Sequence, residues 1–234
     1  MLEVKTASLT EDRPASIWSK RKINYQSPMT NHQLKIQSFC FGPFGTNCYV
    51  VHTENEVLII DPACSNQYEQ QQLYACVNSL NLPSTALHIV ATHGHLDHLW
   101  GAAWATEQWH MPVLMHEADI PMAKAMQQQY NLFGIRQPAQ PFPIENLQSP
   151  ITNYQLQILH TPGHTPGSVC LYWPEEKVLF SGDTLFCMGY GRTDLPGGDM
   201  TQLITSLQQL FALPADVRVY PGHGEATTIA AERR

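Results

Sequence analysis

The sequence predicts an α/β protein built as a four-layer αββα sandwich. The main observation is an internal likeness. Residues 48–61 and 170–183 share one plan: an apolar run, a polar turn and a second apolar run, starting at Cys48 or Cys170 and ending 13 residues later at Asp61 or Asp183. Downstream of each Asp come a helix-patterned segment, another short apolar run and a His-Gly turn, Thr92-His93-Gly94-His95 in one case and Pro221-Gly222-His223-Gly224 in the other. Two β-rich halves related by an approximate two-fold axis would bring their strand ends to one edge and leave the helices outside.

The elements follow in order. Residues 34–41 alternate apolar and polar, as a half-buried strand does, and Gly42-Pro43-Phe44-Gly45 is a turn. Residues 48–52 and 57–60 flank the turn Thr53-Glu54-Asn55, and Pro62 ends the second strand. Asn66 is placed to cap a helix running to about Asn81, with Leu73, Cys76, Val77 and Leu80 on one face. Residues 87–91 form the strand that feeds the first His-rich turn. Helices are predicted over about 100–109 and 117–130 with a strand at 113–115 between them, and 134–150, rich in Pro, reads as an ordered-coil excursion or lid. The second half gives strands at 155–160, 169–173 and 178–180, a loop at 189–198, a helix at about 200–213 and a strand at 218–220. Residues 1–28 lack an apolar core of the signal-peptide kind and carry Glu3, Glu11, Asp12, Lys20, Arg21 and Lys22. They read as a disordered leader to a single domain at 29–234, with Met29 as an alternative start.

Composition narrows the function. The 234 residues are 43% apolar and only 14% charged, with a formal net charge of −7. A sizeable core is available, and the acidic balance disfavours nucleic acid, whose binding is driven by Lys and Arg. No apolar run approaches the roughly 20 residues that span a bilayer. Six cysteines make no CxxC pair and mostly sit in apolar runs, which points to buried free thiols, a reducing compartment and a cytoplasmic protein.

The chemistry gathers where strands end. Thr92-His93-Gly94-His95-Leu96-Asp97-His98 packs three imidazoles and a carboxylate into six residues, which is poor helix and poor core material. His164 lies in Thr161-Pro162-Gly163-His164-Thr165-Pro166-Gly167, Asp183 in Ser181-Gly182-Asp183-Thr184, and His223 in the last His-Gly turn. Gly and Pro stiffen these loops and let backbone approach a ligand. Neutral imidazole and carboxylate are metal donors. Seven donors exceed one tetrahedral ion and suit two ions that share a carboxylate and a water. A donor set of N and O without Cys admits zinc, iron or manganese. Asp61, at the matching strand end, is either support for a ligand or a turn cap.

The pattern His-x-His-x-Asp-His followed by His164, Asp183 and His223 resembles the metallo-β-lactamase-fold hydrolases over about residues 34–226. The resemblance implies that His93, His95 and His164 hold one metal, that Asp97, His98 and His223 hold the second, and that Asp183 bridges. Two divalent ions, zinc first, are the cofactors it implies. True metallo-β-lactamases lack the bridging aspartate, so antibiotic hydrolysis is not the expected activity. Ser-Gly-Asp-Thr and the stretch Gly189-Tyr190-Gly191-Arg192-Thr193-Asp194 are similar to single-domain glyoxalase II-like (hydroxyacylglutathione hydrolase-like) proteins, and the latter stretch also to persulfide dioxygenases. With so few residues after His223, the C-terminal helical domain that completes a glutathione site in longer glyoxalases II is not expected. The expected activity is thioester hydrolysis of a small molecule by a metal-bridging hydroxide, with Asp97 as the catalytic residue. The alternative is a dioxygenase with a single iron. Tyr190, Arg192 and Asp194 are the candidate substrate contacts, Arg192 being either a fork for a substrate carboxylate or the partner of Asp194 or Asp183.

Overall fold

A computed structural model describes residues 34–83, 86–147 and 156–233; the expected leader and Met29 lie outside them. The first half forms a six-stranded sheet. β1 (Lys35–Phe41), β2 (Thr46–His52) and β3 (Val57–Ile60) run as an antiparallel meander. β4 (Leu87–Val90), β5 (Val113–Met115) and β6 (Ile144–Asn146) then add in parallel, giving the order β1-β2-β3-β4-β5-β6. In the second half β7 (Gln157–His160), β8 (Val169–Trp173) and β9 (Val178–Gly182) are again an antiparallel meander. β12 (Arg218–Pro221) lies parallel to β9, and β13 (Thr227–Thr228) closes the edge. The four-strand order β1-β2-β3-β4 therefore recurs as β7-β8-β9-β12 with the same directions, which is the internal likeness seen in the sequence.

Three apolar clusters give four layers. Tyr49, Val51, Leu58, Ile60 and Val90 of the first sheet pack on Val169, Leu171, Trp173 and Phe180 of the second. The alternate residues of the first sheet, Cys48, Val50, Val57, Ile59, Leu87 and Ile89, face helices through Leu73, Val77, Ala102, Ala105, Met126 and Tyr130. On the far side Cys170, Tyr172, Leu179 and Val219 meet Leu203, Leu207, Leu210 and Ile229. Period-two alternation in each strand is what lets one sheet serve two cores. Burying each large apolar side chain stabilises by about 1.5–3 kcal/mol relative to exposure. Among the described residues no helix is long and apolar enough to cross a membrane.

The helices show where sequence expectations held. α1 (Gln67–Ser79) starts at Asn66, whose side chain accepts from Glu69 N, and buries Leu73 and Val77. α3 (Ala102–Trp109) ends at His110 in the left-handed region (φ 55°), and Trp104 packs on Trp109 at 5.2 Å. α6 (Met200–Phe211) is capped by Asp199 through Thr201 N and Gln202 N, and α7 (Ile229–Glu232) follows β13.

Five expectations need correction. The His-rich motif is partly helical: α2 (Leu96–Leu99) contains Asp97 and His98, because Leu96 and Leu99 are both buried and an acidic residue suits a first turn. The helix expected over 117–130 is broken into a 3-10 turn (Glu117–Asp119), α4 (Ile120–Lys124) and α5 (Met126–Leu132), since Ala125 leaves helical geometry at φ −87°, ψ 22°. The Pro-rich excursion supplies β6, whose three residues pair with β5; its end, 148–150, lies outside the described residues. The loop 189–198 opens with a strand of a small ribbon, β10 (Leu185–Phe186) against β11 (Gly189–Tyr190). The thiols are free, but only Cys48, Cys64 and Cys170 are buried, whereas Cys40 and Cys187 are exposed.

Candidate metal centre

Every strand that contributes to the site does so at the same edge. The loop after β4 supplies His93 and His95 and leads into α2 with Asp97 and His98, the loop after β7 supplies His164, and Asp183 and His223 follow β9 and β12. The β1–β2 turn closes the same edge, with Thr46 bridged to His223 and Asn47 N donating to Gly222 O at 2.7 Å. Asn47 Nδ2 also donates to Pro221 O and Gly224 O, each at 2.9 Å. The first sheet is thereby tied to the loop that carries the last histidine.

The seven residues singled out as metal donors come together. Ligand atoms of His93, His95 and His164 lie within 4.8 Å of one another, as do those of His93, His98 and Asp183 and those of Asp97, His98 and His223. His164 Nε2 is 3.5 Å from Asp183 Oδ2, and His98 Nε2 is 3.3 Å from Asp183 Oδ1. His223 Nε2 is 3.2 Å from Asp97 Oδ2 and 3.6 Å from Asp183 Oδ2. Asp183 thus faces both groups.

The hydrogen bonds fix which ring nitrogens point inward. His164 Nδ1 donates to Arg192 O at 2.7 Å; a carbonyl can only accept, so Nε2 keeps its lone pair. His98 Nδ1 donates to Asp61 Oδ2 at 2.8 Å, which leaves His98 Nε2 facing Asp97 and Asp183. Thr92 Oγ1 donates to the same Asp61 oxygen at 2.8 Å and so accepts from His93 Nδ1, 3.1 Å away. His95 Nδ1 stands 2.9 Å from His164 Nε2. Such partners on the outer nitrogen set the tautomer of metal-binding histidines.

A cation fits this arrangement. Among the described residues four buried side-chain polar atoms have no hydrogen-bond partner, and three of them, His93 Nε2, His98 Nε2 and Asp183 Oδ1, converge here. Buried polar atoms without partners are costly, about 1–3 kcal/mol each, and the carboxylates Asp97, Asp183 and Asp61 draw positive charge to this point, either a proton on His98 or a cation in its place.

The electrostatics agree. Burial, reinforced by neighbouring imidazoles, holds His93 well below the usual histidine range and lowers His95 to about 4, so both offer neutral lone pairs at neutral pH. Burial alone would also lower His98, but Asp97, Asp183 and Asp61 overcome it and raise it. His223 is raised in the same way, against burial, by Asp97 and Asp183. Burial would lift Asp97 and Asp183; the His98 charge and the surrounding histidines hold both down as carboxylates. Thr46 Oγ1 donates to Asp97 Oδ2 at 2.8 Å and adds to that effect.

Asp61 accepts from Thr92 N, Thr92 Oγ1 and His98 Nδ1. The candidate substrate contacts point outward. Tyr190 is 53% exposed, and the Arg192 fork is taken by Asp194, with Nε and Nη2 at 2.6 and 2.7 Å from its two oxygens. What Arg192 gives the centre is its backbone carbonyl. His160 stacks on His116 at 4.1 Å instead of reaching the ligands. The cleft of about 420 Å³ lined by Val57, Tyr74, Val77, Leu87 and Trp109 lies where β3 and β4 begin, at the end of those strands opposite the metal centre.

Residues not anticipated from sequence include Thr46, Thr92, Gln129 and Asp119. Asp119 follows β5 at the same sheet edge, and that position rule would have found it.

This fold and this donor set define the class. The chain belongs to the metallo-beta-lactamase superfamily, whose family model matches residues 41–223, from the end of β1 to the last histidine. It is 36% identical over 201 residues to the hydroxyacylglutathione hydrolase GloC of Haemophilus influenzae, covering 82% of this chain and 91% of that protein. Among solved structures, TTHA1623 in a di-iron-bound form superposes with a TM-score of 0.75 at 36% identity, covering 85% of this chain and 97% of the other. The BLEG-1 B3 metallo-beta-lactamase superposes with a TM-score of 0.73 at 32% identity, covering 85% and 96%.

Proposed function

We propose that the chain is a binuclear metallohydrolase of glyoxalase II type that cleaves a small thioester in the cytoplasm. The observation that carries the reading is the convergence of unpartnered His93 Nε2, His98 Nε2 and Asp183 Oδ1. His93, His95 and His164 would hold one ion, Asp97, His98 and His223 the other, and Asp183, facing both, would bridge. The 36% identity to GloC supports the substrate class, and the six free cysteines support a reducing compartment. The ion pair, when bound, supplies an acidified water and Lewis-acid stabilisation of the developing oxyanion.

The chain's own groups do the rest. Asp97, oriented by Thr46 and still 19% exposed on its side chain, holds a proton of the attacking water. Thioester cleavage forms a C–O bond and breaks the C–S bond, and the sulfur leaves as a thiolate without needing a strong acid. Tyr190, Arg192 and Asp194 lie on the outer stretch next to His164, and Arg192 binds a substrate carboxylate by exchanging it for Asp194.

The metal is zinc, iron or manganese; TTHA1623 has a di-iron-bound form. The test is metal content followed by three assays on the same preparation. Two ions per chain with hydrolysis of S-lactoylglutathione supports the proposal. One iron with oxygen uptake on glutathione persulfide replaces it with the dioxygenase reading, and turnover of a β-lactam alone replaces it with the activity that BLEG-1 is named for.

A further inference from the structure

The helical excursion between β5 and β6 carries a buried carboxylate that grips both loops of one histidine triad. Asp119 is 0% exposed. Its Oδ2 accepts from Gly94 N at 2.7 Å and from Thr165 Oγ1 at 2.6 Å, and its Oδ1 accepts from Gly167 N at 2.6 Å. Gly94 separates His93 from His95, while Thr165 and Gly167 follow His164. One carboxylate therefore sets the spacing between the two loops whose imidazoles form the His93, His95 and His164 triad. A short charge-assisted hydrogen bond is a strong and geometrically demanding restraint.

The grip has a second jaw. Gln129, in α5, accepts from Leu96 N and donates to Gly94 O, each at 2.9 Å, and donates to Met122 O at 3.2 Å. Both backbone polar groups of Gly94 are thus held by side chains of the excursion. The fit is close: a Cβ on Gly167 would lie 2.7 Å from Asp119 N and Oδ1, and one on Gly94 would lie 3.1 Å from Asp119 O. The other triad is held differently. Asp97 is braced by Thr46, His98 by Asp61, and His223 by the Asn47 contacts to its loop.

We infer that Asp119 is a positioning residue for one half of the metal centre, setting ion affinity at His93, His95 and His164 without acting on Asp97, His98 and His223. The inference rests on the ligand assignment proposed above. It makes Asp119 a determinant of how unequally the two ions are held, because its hydrogen bonds go to the loops of His93, His95 and His164.

The test separates the halves. His223→Ala leaves the first triad intact, and His95→Ala leaves the second. Asp119→Asn is added to each, and Co²⁺ affinity is measured by competition with a chromophoric chelator, together with the visible Co²⁺ spectrum and a thermal melt. The expected result is about 10- to 100-fold weaker Co²⁺ binding in the His223→Ala background, the range for lost support of metal ligands, with a changed spectrum. In the His95→Ala background affinity is expected to stay within about twofold. Equal weakening in both backgrounds shows a merely structural role and overturns the inference, as does no weakening in either. If Asp119→Asn does not fold, Thr165→Val, which removes one of the three donors, carries the same comparison with a smaller shift expected. Parent variants that bind no Co²⁺ refute the ligand assignment itself, and wild type that binds two ions but spares every thioester refutes only the substrate reading.

Discussion

Asp61 Oδ2 lies 2.8 Å from His98 Nδ1, and the same oxygen accepts from the Thr92 hydroxyl at 2.8 Å. Thr92 in turn faces His93 Nδ1 at 3.1 Å. One carboxylate therefore orients a histidine in each half of the centre, one directly and one through a hydroxyl. Asp61 sits at φ 52°, a conformation Asn also adopts readily, so Asp61→Asn removes the charge and one acceptor oxygen without adding backbone strain. It should weaken metal binding in both halves by about 10- to 100-fold. Zinc titration against a chelator reads this directly, and unchanged affinity in either half contradicts the two-sided role.

Gly222 offers a steric test of the same centre. A Cβ there would lie 2.2 Å from Asp183 Oδ1 and 2.7 Å from His98 Cε1. Gly222→Ala should displace the Asp183 and His98 side chains and lose the second ion, while far-UV circular dichroism stays close to wild type. Full occupancy by metal analysis would show that the β12 loop yields more easily than its contacts suggest.

Much of this was legible in the sequence, for a definite reason. His93, His95, Asp97, His98, His164, Asp183 and His223 are residue types that neither core nor surface requires in such density, and His93, His164, Asp183 and His223 each follow a strand beside Gly. The sandwich was legible because the 48–61 and 170–183 hairpins repeat. Gln129 was not, since its neighbours Gln127 and Gln128 are chemically identical and only the fold selects the one that meets Gly94. β10 and β11 are two residues each and β6 is three, too short for periodicity to register. α2 was hidden because its buried apolar residues, Leu96 and Leu99, flank the polar pair Asp97 and His98 in a single turn. Arg192 was read for its side chain, but the contact it makes with the centre is through its carbonyl.

Removing metal should leave the protein folded. Its three apolar clusters include none of the seven candidate donors, unlike small domains in which metal replaces a core. Chelation is expected to abolish turnover while melting stays cooperative, with the midpoint lowered by the lost binding energy, about 2.7 kcal/mol for ion held at 100 times its Kd. Calorimetry with and without chelator measures it, and loss of the cooperative transition would count against a core independent of metal.

Function and stability should separate between two residues only three apart. Phe180 is fully buried between the sheets and meets Tyr49 at 5.0 Å, Tyr220 at 5.3 Å and Trp173 at 6.0 Å between ring centroids. Phe180→Ala leaves a cavity that these rings cannot fill, a change that costs about 3–5 kcal/mol. Asp183 is held at the end of the same strand by a different set of forces, facing His98, His164 and His223 with one oxygen unpartnered. Asp183→Ala removes the atom that both ions would share and takes away no apolar contact. Urea denaturation and turnover measured on the same preparations should therefore diverge. Phe180→Ala should shift the unfolding midpoint sharply and retain kcat in the folded fraction, and Asp183→Ala should abolish turnover with a midpoint near that of the metal-free wild type. Turnover by metal-replete Asp183→Ala would refute the bridging role.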